Sequence, residues 1–298
     1  GRRVILLIRP VRRMHTMKKP PLRTLAPFLV ASAFIPLSLA NAQSNLRELV
    51  LFHASFDHGF DADVGVDKQV RTADTHGRKT IQLGNLREDV SIVKGGGKFG
   101  DGLRFSGNAP EVFMYSGTNM GYRAKDWSGS VSFWLKLDPD KDLKPGFSDP
   151  LLITQNKWND GAFFIDFDQE LPRTLRLGTF PDFKEWNPTD RPFDDFAEDQ
   201  RPMLPVKKPP FSSKRWTHVA FTFENVNPSE GNSSKAKLFL DGKPIRESAR
   251  TLRFTWDDKK AAIMLGIQFV GDFDDLIIFK RPLSDKEIAR LFQAKGSL

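Results

Sequence analysis

Ser130-Val131-Ser132-Phe133-Trp134-Leu135-Lys136-Leu137 is the stretch whose pattern decides the fold. Val131, Phe133, Leu135 and Leu137 recur at period two, and successive side chains of a strand point to opposite faces, so these four share one face. An apolar face of that size must be buried against a second layer. The same alternation returns in Thr217-His218-Val219-Ala220-Phe221-Thr222-Phe223-Glu224, with Val219, Phe221 and Phe223 directed inward. His218, Thr222 and Glu224 fall on the opposite face. Working outward, runs of strand composition occupy 49–56, 102–105, 112–115, 151–154, 162–167, 175–180, 237–240, 263–268 and 275–279. Asp241-Gly242 predicts a tight hairpin, because a type I′ turn needs positive φ and this dipeptide adopts it readily. About a dozen short strands with almost no helical periodicity predict an all-β, two-sheet antiparallel sandwich. One helix is predicted near the end of the chain, where Ser284 can cap and Glu287 can reach back ahead of Ile288, Leu291 and Phe292.

The chain has 298 residues and a formal charge of +8, with 45 basic and 37 acidic side chains. Eight of the basic residues (Arg2, Arg3, Arg9, Arg12, Arg13, Lys18, Lys19 and Arg23) lie in residues 1–42, which contain no acid. Residues 43–298 are therefore neutral overall, which removes the compositional argument for nucleic acid as a partner. No cysteine is present, so neither a disulfide framework nor a thiolate metal site can form.

Residues 1–42 read as a signal peptide. Met17-Lys18-Lys19 opens a positive region, 25–40 is mostly apolar, and Ala40-Asn41-Ala42 places small residues where a signal peptidase cuts. Cleavage there leaves Gln43 first. The apolar stretch is short and contains Pro27 and Pro36, which disfavours a retained membrane anchor and leaves no span in the mature form. Residues 1–16 carry five arginines and fit a misassigned upstream start or a longer positive region. The expected domain is 43–298, and the expected localisation is secreted or periplasmic.

Four segments resemble, in order, the laminin G-like jelly-roll domains of the concanavalin A-like lectin/glucanase superfamily. They are Gly97-Lys98-Phe99-Gly100-Asp101-Gly102-Leu103-Arg104-Phe105, Ser128-Gly129 leading into the strand from Ser130, Trp216-Thr217-His218-Val219 followed by Leu240-Asp241-Gly242-Lys243, and Gly271-Asp272-Phe273-Asp274-Asp275-Leu276 through Arg281-Pro282-Leu283-Ser284. The resemblance implies a jelly-roll sandwich with a short C-terminal helix. That superfamily contains lectins, adhesion modules, glycosidases and lyases, so the fold leaves the activity open.

Three groups of residues could carry function. Members of the superfamily often hold a structural Ca²⁺ between the first and last strands, and Asp57 and Asp274 stand at the two matching places. Oxygen ligands from both ends of the chain suit that ion, although the same acids could simply solvate turns. His53, His58 and His76 lack ligand spacing and read as surface histidines. Asp166, Asp168 and Glu170 would share one strand face and resemble the acidic strand of retaining jelly-roll glucanases, but an aspartate stands where those enzymes use glutamate. Arg176 on the following strand offers the plainer reading, a cross-strand charge pair. The long segment between Phe180 and Phe211 is rich in proline and aromatics and is too long for a mere connection. Trp186 of that segment and Trp158, Asn159 and Asp160 of residues 157–161 could form a sugar site, the rings stacking and the polar groups bonding hydroxyls, or the tryptophans could anchor their loops. Trp134 and Trp216 lie in strands and read as structural. The resulting expectation is an exported, non-catalytic module for glycan or another cell-surface component. A polysaccharide hydrolase or lyase of the same fold is the alternative, and a structural envelope protein making protein contacts only is the second.

Overall fold

The computed structural model describes Gly1 and residues 46–298. The signal-peptide reading of 1–42, with its cleavage before Gln43, lies outside the described residues. Sixteen strands, numbered in chain order, form two antiparallel eight-stranded sheets. The first runs β14 (Lys243–Ser248), β13 (Lys235–Leu240), β12 (Thr217–Val226), β7 (Trp127–Lys136), β16 (Gly271–Phe279), β5 (Gly102–Phe105) and β4 (Val90–Val93), with β1 (Val50–Ala54) also paired to β16. The second runs β11 (Met203–Val206), β10 (Leu175–Phe180), β9 (Ala162–Phe167), β8 (Ser148–Thr154), β15 (Ala262–Ile267), β6 (Val112–Ser116), β2 (Arg71–Ala73) and β3 (Ile81–Leu83). The sandwich expected from the sequence is present.

The alternating residues do what their spacing requires. Val131, Phe133 and Leu135 of β7 and Val219, Phe221 and Phe223 of β12 enter one core between the sheets, where Phe133 stacks on Phe273 at 5.0 Å. Trp127 is buried there against Phe163, Phe223, Phe254 and Trp256. Each such side chain removed from water contributes roughly 1.5–3 kcal/mol, which outweighs the weak local preference of short strands.

Both outer faces are also covered. The C-terminal helix Asp285–Gln293 starts with the expected capping box, Ser284 accepting from the Glu287 amide and Glu287 reaching back. Its Ile288 and Leu291 pack on Ala220, Phe239, Ile277 and Phe279 of the first sheet. His218 therefore lies beneath this helix, away from solvent. On the second sheet, the 181–211 segment folds into a helical turn (Phe183–Trp186), two tighter turns and β11, and lays Trp186, Phe193 and Met203 over Leu152, Phe164 and Phe180.

The Asp241-Gly242 hairpin forms with φ of +48° and +74°, as a type I′ turn requires. The histidine expectation needs correction at one position. His58 and His76 are exposed, but His53 is buried and its Nε2 lies 2.7 Å from Asp275 Oδ1 and 3.0 Å from Ser297 Oγ. A polar side chain on an inward-turning strand end was satisfied by partners more than 200 positions away, which no local pattern records. Among the described residues, no helix is long and apolar enough to cross a membrane.

Candidate functional site

The outer face of the second sheet, beneath the 181–211 segment, holds a cleft of about 340 Å³. Strand alternation builds its floor, since Phe164 and Asp166 of β9 point outward while Phe163, Ile165 and Phe167 enter the core. Cross-strand register places Arg176 of β10 directly opposite Asp166. The two form a bidentate ion pair, Arg176 Nε donating to Asp166 Oδ1 at 2.9 Å and Nη2 to Oδ2. Asp149 of β8 completes the polar patch. Burial holds its carboxyl well above the usual carboxylate range, and the neighbouring Asp166 charge pushes the same way against Arg176. Asp166 is also raised by burial, with the bond and charge of Arg176 opposing. The cleft thus presents one carboxyl raised by burial and a second paired with a guanidinium.

Aromatic rings form the rim. Trp158 is 40 % exposed and Phe147 is 47 % exposed, both unusual for rings of that size. Trp158 is held by Phe164, Phe180 and Phe193, each ring roughly perpendicular to it, at centroid distances of 5.2–6.2 Å. The Arg176 guanidinium sits 4.8 Å from the Phe147 ring, and that of Arg201 sits 4.6 Å from Phe193. Gln169, Asp194 and Arg201 add polar groups. Such a surface suits a flat polyol, with an apolar ring face on the tryptophan and hydroxyls on amide, carboxyl and guanidinium.

The residues singled out from the sequence separate here. Trp158 and Asp166 line the cleft. Asp168 accepts from the Thr174 amide at 2.8 Å and faces an adjoining hollow, whereas Glu170 is exposed and lines neither. Trp186 donates Nε1–H to the Asn159 carbonyl at 2.9 Å and packs among Phe180, Phe183, Phe193 and Phe196. Asp160 accepts from the Phe183 amide at 2.7 Å, so Asn159, Asp160 and Trp186 join the 155–161 loop to the insertion beside the cleft. Phe147, Asp149, Gln169, Phe193 and Arg201 were not singled out. The Asp149-Pro150 step and the aromatic density of the insertion were the only signals that could have pointed to them.

Asp57 and Asp274 are brought to a single turn. Asp57 Oδ1 accepts from the Asp101 amide at 2.7 Å, and Asp274 Oδ2 accepts from Lys98 and Phe99 at 2.6 and 3.0 Å. β16 is irregular at this point, with Asp275 at φ +53° between the part pairing β5 and the part pairing β1. Asp274 Oδ1 is buried with no partner, and burial raises this carboxyl to about 8.

Comparison with known proteins agrees with this architecture. Residues 116–289 match the family model described as the Concanavalin A-like lectin/glucanases superfamily. No curated protein matches the chain in sequence. Among solved structures, domain 4 of a GH43 extracellular arabinanase from Geobacillus stearothermophilus, determined with arabinotriose, is similar at 16 % identity and a TM-score of 0.50, covering 82 % of this chain and 100 % of that one. The ligand-binding domain of botulinum neurotoxin serotype D, determined with N-acetylneuraminic acid, is similar at 11 % identity and a TM-score of 0.52, covering 85 % of this chain and 53 % of the other, about half its length. These identities speak for the shared fold alone. With more than half of its length matched and sixteen strands in two antiparallel sheets, the chain belongs to the concanavalin A-like lectin/glucanase superfamily.

Proposed function

We propose that this protein is an exported, non-catalytic module that binds glycan through the cleft beneath the 181–211 segment. The observation that carries the reading is Trp158, 40 % exposed and pinned by three phenylalanines roughly perpendicular to it, beside Asp149, Gln169 and Arg201. A pinned, exposed ring offers a stacking surface at little cost in side-chain entropy. The two neighbours of the same fold that were determined with arabinotriose and N-acetylneuraminic acid are compatible with it. Export is the reading of residues 17–42, and Gln43 at the amino terminus of the mature protein is its check.

A glycan-array screen of the protein, repeated with Trp158→Ala, tests the cleft. The substitution should weaken every positive glycan by about 1–2 kcal/mol, five- to thirtyfold, with the variant still folded at the assay temperature as read by its melting curve. Unchanged binding in the variant would overturn the assignment. Asp149 favours the hydrolase or lyase alternative, since burial raises its carboxyl beside Asp166, whose charge Arg176 supports, and unequal environments of paired carboxyls are how acid and base roles divide. Product formation from a bound polysaccharide, abolished by Asp149→Asn, would select that alternative.

We further propose that Asp57 and Asp274 hold a structural Ca²⁺. The donor set fits in part, because two carboxylates meet at one turn and Asp274 Oδ1 is buried without a donor. No group of three or more His, Asp or Glu able to hold a metal occurs among the described residues, so carbonyls and water would complete the shell. Bound there, the ion would supply charge compensation and a tie between β1 and β16.

A further inference from the structure

The second sheet carries another hollow on its outer face, across the 155–161 loop from the Trp158 cleft. It measures about 590 Å³ and is floored by Ile81 and Met114. Its walls hold four cations, Arg71, Arg78, Lys259 and Lys260, and one carboxylate, Asp67. That imbalance is local, because residues 43–298 are neutral overall. Asp67 is taken up by Arg71 at 2.7 Å, and Lys260 has Asp257 at 3.2 Å. Among the described residues, neither the Arg78 guanidinium nor the Lys259 ammonium has a carboxylate within 4.0 Å, although the Lys259 backbone amide donates to Asp257 Oδ1 at 3.3 Å.

Arg78 decides what the hollow can do. Its guanidinium is half-buried and bonded to the carbonyls of His76, Gln155 and Lys260 and to Met264 Sδ, which fix its plane without neutralising its charge. Burial pushes it below the ordinary arginine value, the direction of a cation lacking a counter-charge, while leaving it protonated at neutral pH. Ser116, Thr118 and Asn156 line the same hollow, the two hydroxyls bonded to each other at 2.8 Å and the Asn156 amide donating to Asp160 at 3.1 Å. Both Nη groups of Arg78 are taken up by its carbonyl and sulfur bonds, so what the hollow offers an anion is the uncompensated guanidinium charge, Arg78 Nε–H, the Lys259 ammonium and one hydroxyl of the Ser116–Thr118 pair, a set that suits a sulfate or carboxylate group. β9 under the Trp158 cleft and β6 under this hollow are three strand spacings apart, roughly 15 Å, so one extended chain could reach both.

We propose that the Arg78–Lys259 hollow is an oxyanion site that takes the sulfate or carboxylate of an acidic glycan. The proposal rests on the cleft reading for the rest of that ligand, and the two can fail separately. The protein should be titrated with dextran sulfate, polygalacturonate, neutral dextran and double-stranded DNA at fixed salt. At least one acidic polysaccharide should bind about tenfold tighter than dextran and DNA, and which one identifies sulfate or carboxylate as the group. The double variant Lys259→Glu/Lys260→Glu, both residues exposed and safe for folding, should lose about tenfold for that polymer, while Lys243→Glu on the other sheet should not. Equal affinity for acidic and neutral polymers, DNA binding as tight as the best polysaccharide, or indifference to the double variant would each overturn the oxyanion site. Loss in Trp158→Ala alone would keep the cleft reading without it, loss in the lysine variant alone would keep the site and overturn the cleft, and silence across the panel would overturn both.

Discussion

His218 shows how much one buried side chain can ask of its surroundings. It lies between Trp134 and Phe292, at 4.8 and 6.2 Å, with Nε2 bonded to Ser132 Oγ at 2.8 Å and Nδ1 unpartnered. Burial, with the positive charge of Lys98 nearby, lowers its pKa from 6.5 to about 3. The folded state therefore refuses a proton that the unfolded chain accepts. Stability from this neutral imidazole is complete above 6.5 and is lost as pH falls from there toward about 3, with a slope of at most about 1.4 kcal/mol per pH unit. Urea midpoints measured at pH 7 and pH 4.5 should fall together less in His218→Gln than in the parent. Parallel losses in both proteins would mean that the imidazole does not stay neutral.

At the scale of elements, the β13–β14 hairpin joins local turn chemistry to helix docking. Gly242 has φ +74°, and a Cβ there would stand 2.8 Å from Phe292 Cβ and 3.2 Å from Ala289 Cα. Gly242→Ala should thus cost roughly 2 kcal/mol, from the left-handed backbone and from displacement of the C-terminal helix, read as a lower urea midpoint. A neutral effect would show that the helix yields freely. Elements also differ in how plainly the sequence announces them. β7, β9, β10 and β12 were readable because their inward residues are large and alternate. β2, β3, β4 and β11 were not, since the first three have three or four residues, β3 is fully exposed, and β11 contains Pro205. Those strands exist because a neighbour offers an edge, not because their own residues demand extension.

For the molecule as a whole, the junction of Asp57 and Asp274 on the 98–101 turn ties together two parts of the first sheet that lie near the two ends of the described chain. If Ca²⁺ sits there, it stabilises by mass action, about 2.7 kcal/mol at a hundred times its dissociation constant. Chelator should lower the melting temperature, calcium should restore it, and Asp57→Asn should remove the response. An identical melting curve in chelator and calcium would leave the two carboxylates as acceptors for turn amides only.

The sequence by itself determined the sandwich, the Asp-Gly hairpin and the capped helix, because period-two alternation, positive-φ turn residues and capping boxes are local demands that many packings satisfy in the same way. It also brought forward Trp158 and Asp166, since an aromatic loop and an acidic strand are visible in one dimension. Only the tertiary structure decided what those residues face. Asp149 reaches Asp166 from another strand, Arg201 and Phe193 arrive from the insertion, and Arg78 meets Lys259 across a separation of 181 positions. The neutral charge of residues 43–298 concealed that basic hollow, because composition sums over the surface while binding depends on which groups the fold places side by side.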